Sequence, residues 1–176
     1  MARRRVIHAQ VATMDSAWKE KSTPKYAGHA EVRLLIPIDA TLESLWSLHY
    51  ARRRARSDGS IAVFLLYVAE PVRQWEVLRF RTESEIRQHF LARAQVFLEE
   101  AAGHLRKADI EVQTYFREAD PILGVLSLAE ELECTEIVAP KPEWLGLFSD
   151  GIGRKLLRAA NHIPVMLVNS DGMIDT

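Results

Sequence analysis

The chain has 176 residues, of which 48% are hydrophobic and 27% charged, with a formal net charge of −1. These values fit one globular domain and argue against a disordered or membrane-embedded chain. Its single cysteine, Cys134, excludes an internal disulfide, and a reducing cytoplasm is the expected setting.

Residues 1–30 show no sustained periodicity and are expected to form an N-terminal extension, with Ser22-Thr23-Pro24 breaking any helix begun near Ala17. This stretch holds Arg3, Arg4, Arg5, Lys19, Lys21 and Lys25 against Asp15 and Glu20, so residues 31–176 carry an acidic excess. Such a balance argues against a nucleic-acid-binding surface on the domain. The run from Val6 to Val11 is interrupted by His8 and Gln10, so no secretory signal is expected. No stretch approaches the ~18 apolar residues of a membrane span, and no membrane association is expected.

Val32-Arg33-Leu34-Leu35-Ile36-Pro37-Ile38-Asp39 reads as a buried strand that leaves its sheet at Ile38-Asp39, because Pro37 cannot donate to a ladder. Thr41 is placed to cap the next helix, with Leu42, Leu45, Trp46 and His49 on one apolar face and Asp58-Gly59 at the end. The Arg52-Arg53-Arg54 and Arg56 cluster complements the dipole at that helix terminus and reads as a solvated face. Ile61 to Val68 is apolar throughout, as expected of a parallel strand covered on both sides, and Glu70-Pro71 stops it.

Residues 72–82 carry no clear signal. Ile86, Phe90, Phe97, Ala101 and Leu105 then form the apolar stripe of a long helix. Ile110 to Phe116 is a strand, and Asp120-Pro121 supplies a cap and a first-turn proline for a helix reaching about Leu132. A strand over Thr135 to Ala139, a helix over Gly151 to Ala160 and a strand over Pro164 to Val168 complete a β-α-β-α-β-α-β-α-β pattern. Parallel neighbours need right-handed crossovers, so the expected fold is a three-layer α/β/α, flavodoxin-like (Rossmann-like) domain with a five-stranded parallel sheet. Residues 31–170 form this domain and 171–176 a short tail. Ligands of such sheets bind beyond the carboxyl ends of the strands where strand order reverses, here Ile38-Asp39-Ala40 and the stretch from Ala139 to Gly153.

Leu35-Ile36-Pro37-Ile38-Asp39, Leu65-Leu66-Tyr67-Val68, Asp120-Pro121 with Cys134-Thr135-Glu136-Ile137-Val138, and Gly151 followed by Ile163-Pro164-Val165-Met166-Leu167-Val168 occur in this order and spacing. Together they resemble the universal stress protein (UspA-like) family over roughly residues 31–169. The resemblance implies a flavodoxin-like sheet, cytoplasmic residence, a role in stress response and homodimers that often pair through the last strand.

Family members that hold ATP carry G-x2-G-x9-G-[S/T] after the fourth strand, where small residues let backbone N–H groups approach phosphates. Here that stretch runs from Ala139 through Pro140-Lys141-Pro142-Glu143-Trp144-Leu145-Gly146-Leu147-Phe148-Ser149-Asp150 to Gly151-Ile152. Ala139 and Pro142 fall at the first two glycines, Gly151 at the third and Ile152 at the hydroxyl. This degenerate ATP-binding motif is a poor triphosphate cradle, because Pro142 lacks an N–H, Ile152 cannot hydrogen-bond, and Glu143 and Asp150 bring negative charge. Gly151-Ile152-Gly153 nevertheless opens a helix whose dipole favours anions, followed by Arg154 and Lys155, unless Asp150 caps that end itself.

By the resemblance, Asp39 matches the acidic residue that touches the adenine or ribose end of a nucleotide, and Pro37 and Val68 match positions lining an adenine slot. The alternative for Asp39 is a cap on the turn into the first helix; for Pro37 and Val68 it is ordinary core packing. Trp144, Leu145, Leu147 and Phe148 are expected to close over the phosphate site or to dock a partner. The six histidines show no ligand spacing, so no metal site is expected, and Cys134 reads as a small core residue. G-x-S-x-G, Walker A and H-E-x-x-H patterns are missing. A receiver or electron carrier is disfavoured, since the second and fourth strands end without a carboxylate cluster.

The first functional expectation is therefore a non-catalytic, dimeric stress-response or regulatory protein acting through an unidentified protein partner, with no obligatory cofactor. The alternative is an adenine-nucleotide binder for ATP or AMP, with or without slow hydrolysis, built on Pro37, Asp39, Val68 and Gly151.

Overall fold

The computed structural model describes residues 30–71, 82–141, 151–160 and 162–174. In chain order these form β1 (Val32–Pro37), α1 (Trp46–Asp58), β2 (Ile61–Ala69), α2 (Glu83–Arg106), β3 (Glu111–Glu118), α3 (Pro121–Glu131), β4 (Glu136–Pro140), α4 (Ile152–Ala159) and β5 (Val165–Val168). The strands make one sheet in the order β3-β2-β1-β4-β5, with every strand pair parallel. The expected five-stranded α/β/α architecture is the one observed.

Alternation along the strands divides the core in two. Leu34 and Ile36 of β1 and Val63 and Leu65 of β2 face α1 and α2, whereas Leu35, Ala62, Phe64 and Leu66 face α3 and α4. The two crossovers built outward from β1 through β2 to β3 lie on one side. Those from β3 to β4 and from β4 to β5 lie on the other. Strand order thus reverses between β1 and β4, and the chain leaves the sheet in opposite directions at their carboxyl ends.

α2 starts at a capping box: the Thr82 hydroxyl accepts from Glu85 N–H, and the Glu85 carboxylate accepts from Thr82 N–H at 2.8 Å. The tightest packing residues of α2 are Ala94, Leu98, Ala101, Ala102 and Leu105, so its seam includes three positions, Ala94, Leu98 and Ala102, beyond the expected stripe. At α3 the expected cap is present, with Asp120 Oδ1 accepting from the N–H groups of Ile122 and Leu123 at 3.0 Å each. β3 runs two residues past the expected end at Phe116 because its ladder with β2 continues through Ala69↔Glu118.

The stretch after β1 differs from expectation. Thr41 does not cap a helix: a short 3-10 turn over Glu43–Leu45 precedes α1, and Leu42 is 79% exposed rather than facing the core. Leu45 and Trp46 do pack against the core, while His49 is exposed and contacts the Ser170 carbonyl at 2.9 Å. The residues after β5 turn back through Asn169, whose Oδ1 accepts from Asp171 and Met173 N–H, and Ile174 bridges antiparallel to Val168. Gly172 sits at φ +67° with the space for a Cβ filled by the Tyr50 backbone nitrogen at 2.5 Å, so this return lies tightly on α1.

At the amino end of the sheet, buried Glu136 opens β4. Its carboxylate accepts from the Tyr50 hydroxyl and from the Arg54 guanidinium, both at 2.7 Å, and Arg54 also pairs with Asp58 at 2.8 Å. Burial, together with the Glu136 carboxylate, pushes the Tyr50 phenol well above its ordinary pKa. Burial opposes the Arg54 cation, yet Glu136, Tyr50 and Asp58 keep its pKa above the usual arginine value. The arginine cluster is therefore not uniformly a solvated face. Arg53 and Arg56 are exposed, but Arg54 reaches inward because β4 starts with a carboxylate that has to be neutralised. Cys134, 6% exposed, is the small core residue expected, and burial pushes its thiol up to about 12.

Candidate functional site

Where β1 and β4 diverge, a cleft of about 330 Å³ opens beyond the carboxyl ends of the strands. That volume lies at the lower end of the ~300–1,000 Å³ typical of small-molecule sites. β1 contributes Pro37 and the residues Ile38 and Asp39 that follow it; β2 contributes Leu66, Val68 and the neighbouring Glu70. Asp120, Pro121 and Ile122 come from the start of α3, Pro140 from the end of β4, and Ile152 and Lys155 from α4. Pro37, Asp39 and Val68, singled out from the sequence, are thus brought to one cavity.

Each wall has a local cause. Ile38 N–H still bonds the Leu66 carbonyl at 2.8 Å, after which the chain turns away. Asp39 makes that turn: its Oδ1 accepts from Thr41 N–H at 2.8 Å and from the Thr41 hydroxyl at 2.6 Å. Of the two roles weighed for Asp39, turn formation is present in the structure, and it employs only Oδ1. Buried Ser44 donates to the Thr41 carbonyl at 2.9 Å and lines the cleft behind the turn. Val68 is pressed by α3, whose Gly124 has Val68 Cγ1 only 3.2 Å from where a Cβ would stand.

Gly151 is the N-cap of α4, and its carbonyl accepts from Arg154 and Lys155 N–H at 3.1 and 3.3 Å. The N-cap position is Gly151; Asp150, weighed as a cap for this end, lies with the rest of 142–150 outside the described residues. Gly151 itself does not line the cleft; the next residue, Ile152, does. Gly153 is required for packing: a Cβ there would stand 2.7 Å from the Pro140 carbonyl oxygen and 2.8 Å from Leu167. This contact holds the α4 N-terminus against the end of β4.

The lining couples apolar surface from Pro37, Val68, Pro140 and Ile152 with three carboxylates, Asp39, Glu70 and Asp120, and one ammonium, Lys155. No histidine or cysteine lines it, and no metal-binding group of three is present among the described residues. The lining offers apolar contact surface beside acidic hydrogen-bond acceptors and one ammonium donor. Sequence reasoning missed Glu70, read only as a strand stop, and Ser44; nothing in a single carboxylate or hydroxyl after a strand marks it as cleft-lining. The expected closure by Trp144, Leu145, Leu147 and Phe148 and the segments 1–29 and 72–81 also lie outside the described residues.

No family model matches the chain, and no curated protein matches its sequence. Solved structures do. A universal stress protein family member from Burkholderia pseudomallei superposes with a TM-score of 0.63 at 16% identity, over 82% of this chain and 98% of that one. The universal stress protein of Archaeoglobus fulgidus in complex with dAMP gives 0.59 at 19% identity, over 80% and 99%. A family protein from Arabidopsis thaliana with AMP bound gives 0.56 at 15% identity, over 82% and 99%. The chain has the universal stress protein fold. No helix among the described residues is long and apolar enough to cross a membrane.

Proposed function

We propose that this chain is a universal stress protein-like regulatory protein that binds an adenine nucleotide, without turning it over, in the cleft between β1 and β4. The observation that carries this is the convergence of Pro37, Asp39 and Val68 on one cavity at the point where strand order reverses. Apolar faces at Pro37 and Val68 suit a purine ring, and the Asp39 carboxylate, with Oδ2 turned to no hydrogen-bond partner among the described residues, suits an amino or hydroxyl edge. Structural relatives solved with AMP and dAMP support a nucleotide as the ligand class.

Thermal unfolding of the nucleotide-stripped protein tests it. Ligand at about 100 times its dissociation constant adds roughly 2.7 kcal/mol, which raises the melting temperature by about 5–10 °C for a domain of this size. AMP is expected to give such a rise, and Asp39→Asn, which keeps the Oδ1 acceptor of the turn, to remove most of it. No shift with millimolar AMP or ATP would sink the proposal.

A second function, regulation through a dimer and a protein partner, draws on the position of β5. It is an edge strand with half-buried Val165, Met166 and Leu167, flanked by exposed Leu157 and Ile174. Pairing of two copies through this edge, in the cytoplasm, would cover these side chains. Sedimentation showing only monomer at high micromolar concentration would rule it out.

A further inference from the structure

We infer that the cleft selects adenine ligands of low phosphate charge, a nucleoside or a singly charged cyclic monophosphate, over the triphosphate. This rests on the nucleotide-binding proposal and adds a selection rule that comes from the charges around the cavity. Asp39 stands at the end of β1, Glu70 after β2 and Asp120 at the start of α3, so carboxylates reach the lining from three separate elements. Among the described residues, Lys155 is the one cation lining the cavity, with Arg154 beside it on α4 and Lys141 following β4.

Among the described residues, neither Asp39 nor Asp120 pairs with a cation. The Oδ1 of each is occupied by hydroxyl or backbone N–H donors rather than by a cation. At the α3 N-terminus, where an anion would otherwise be welcome, the Asp120 carboxylate already takes the N–H groups of Ile122 and Leu123. At α4 the cleft is lined by Ile152, whose aliphatic side chain has no donor to offer a phosphate oxygen.

Size points the same way. A cleft of about 330 Å³ is small for a triphosphate nucleotide but adequate for its nucleoside end. Each phosphate charge beyond the first then meets a lining with three carboxylates and, among the described residues, a single ammonium.

Affinities of the full chain for adenosine, cyclic AMP, AMP and ATP, measured calorimetrically at fixed low ionic strength without divalent metal, test the rule. Adenosine and cyclic AMP are expected to bind at least about tenfold more tightly than ATP, with the gap shrinking as salt screens the carboxylates. Glu70→Lys is expected to narrow the ATP-to-adenosine ratio by about threefold or more. ATP binding as tightly as adenosine would overturn the selection rule while leaving nucleotide binding intact. Binding of none of the four would overturn both.

Discussion

The two ends of the sheet solve opposite problems with similar residue types. At the amino end the carboxylate of Glu136 is buried and answered by Tyr50 and Arg54; at the carboxyl end the carboxylates of Asp39, Glu70 and Asp120 border an open cleft with, among the described residues, one lysine. Desolvation makes the difference. A buried charge must be neutralised by hydrogen bonds and an opposite charge, so the amino end is closed and structural. Charges at a cleft mouth keep their water and can be spent on a ligand. Removing the Glu136 charge should therefore move stability and spare recognition, and removing the Glu70 charge the reverse.

The largest stability loss is expected from Glu136→Ala, which leaves the Tyr50 hydroxyl without its acceptor and the Arg54 cation with Asp58 alone. About 3 kcal/mol, read from the denaturant midpoint, is the expected cost, since Arg54 retains partial access to water. A loss below about 1 kcal/mol would mean that the network is a surface feature. Gly153→Ala should come next, at roughly 2 kcal/mol, because the Pro140 carbonyl is backbone and cannot swing away from the new methyl. A neutral or stabilising Gly153→Ala would show that α4 is free to slide on β4.

Tyr50→Phe should cost about 1.5 kcal/mol through the lost hydrogen bond to a charged acceptor. It also carries a pH signature. A phenol whose pKa is raised on folding stabilises the native state fully below its unfolded value of 10.0, and that contribution is lost as pH rises beyond it. The Cys134 thiol does the same between 9.0 and about 12. Wild-type stability should thus fall above about pH 9 more steeply than that of the Tyr50→Phe, Cys134→Ala double variant, and parallel curves would refute the burial assigned to these groups. Smallest of all, Leu42→Ser should change stability by less than about 0.5 kcal/mol, its side chain being 79% exposed.

Much of this architecture was legible because its signals are local. Strands such as Ile61–Ala69 are apolar runs too short for helices, and Asp120-Pro121 announces α3 by a cap and a proline whose chemistry needs only neighbouring residues. Thr41 misled because a threonine before an apolar periodicity looks like a cap, yet Asp39 Oδ1 takes both of its donors and the first turn becomes 3-10. The Arg54 pairing was not legible, since Glu136 lies 82 residues away and only the fold brings it near. In the cleft, Pro37, Asp39 and Val68 could be chosen by their place at strand ends. Glu70 and Ser44 could not, as their membership depends on how far α3 and the 3-10 turn lean over the cavity.

The central place of β1 has a consequence for how the chain comes together during synthesis. Its pairing with β2 joins segments close in sequence, but Arg33 and Thr135, which exchange backbone and hydroxyl hydrogen bonds across the β1–β4 seam, are 102 residues apart. Until β4 has emerged, Leu34 and Leu35 lie along an unpaired parallel edge in the middle of the future core, and closing so long a loop is entropically slow. The half that is made first is therefore the half that waits, and the cleft, which exists only once β1 and β4 diverge, is among the last features of the molecule to form.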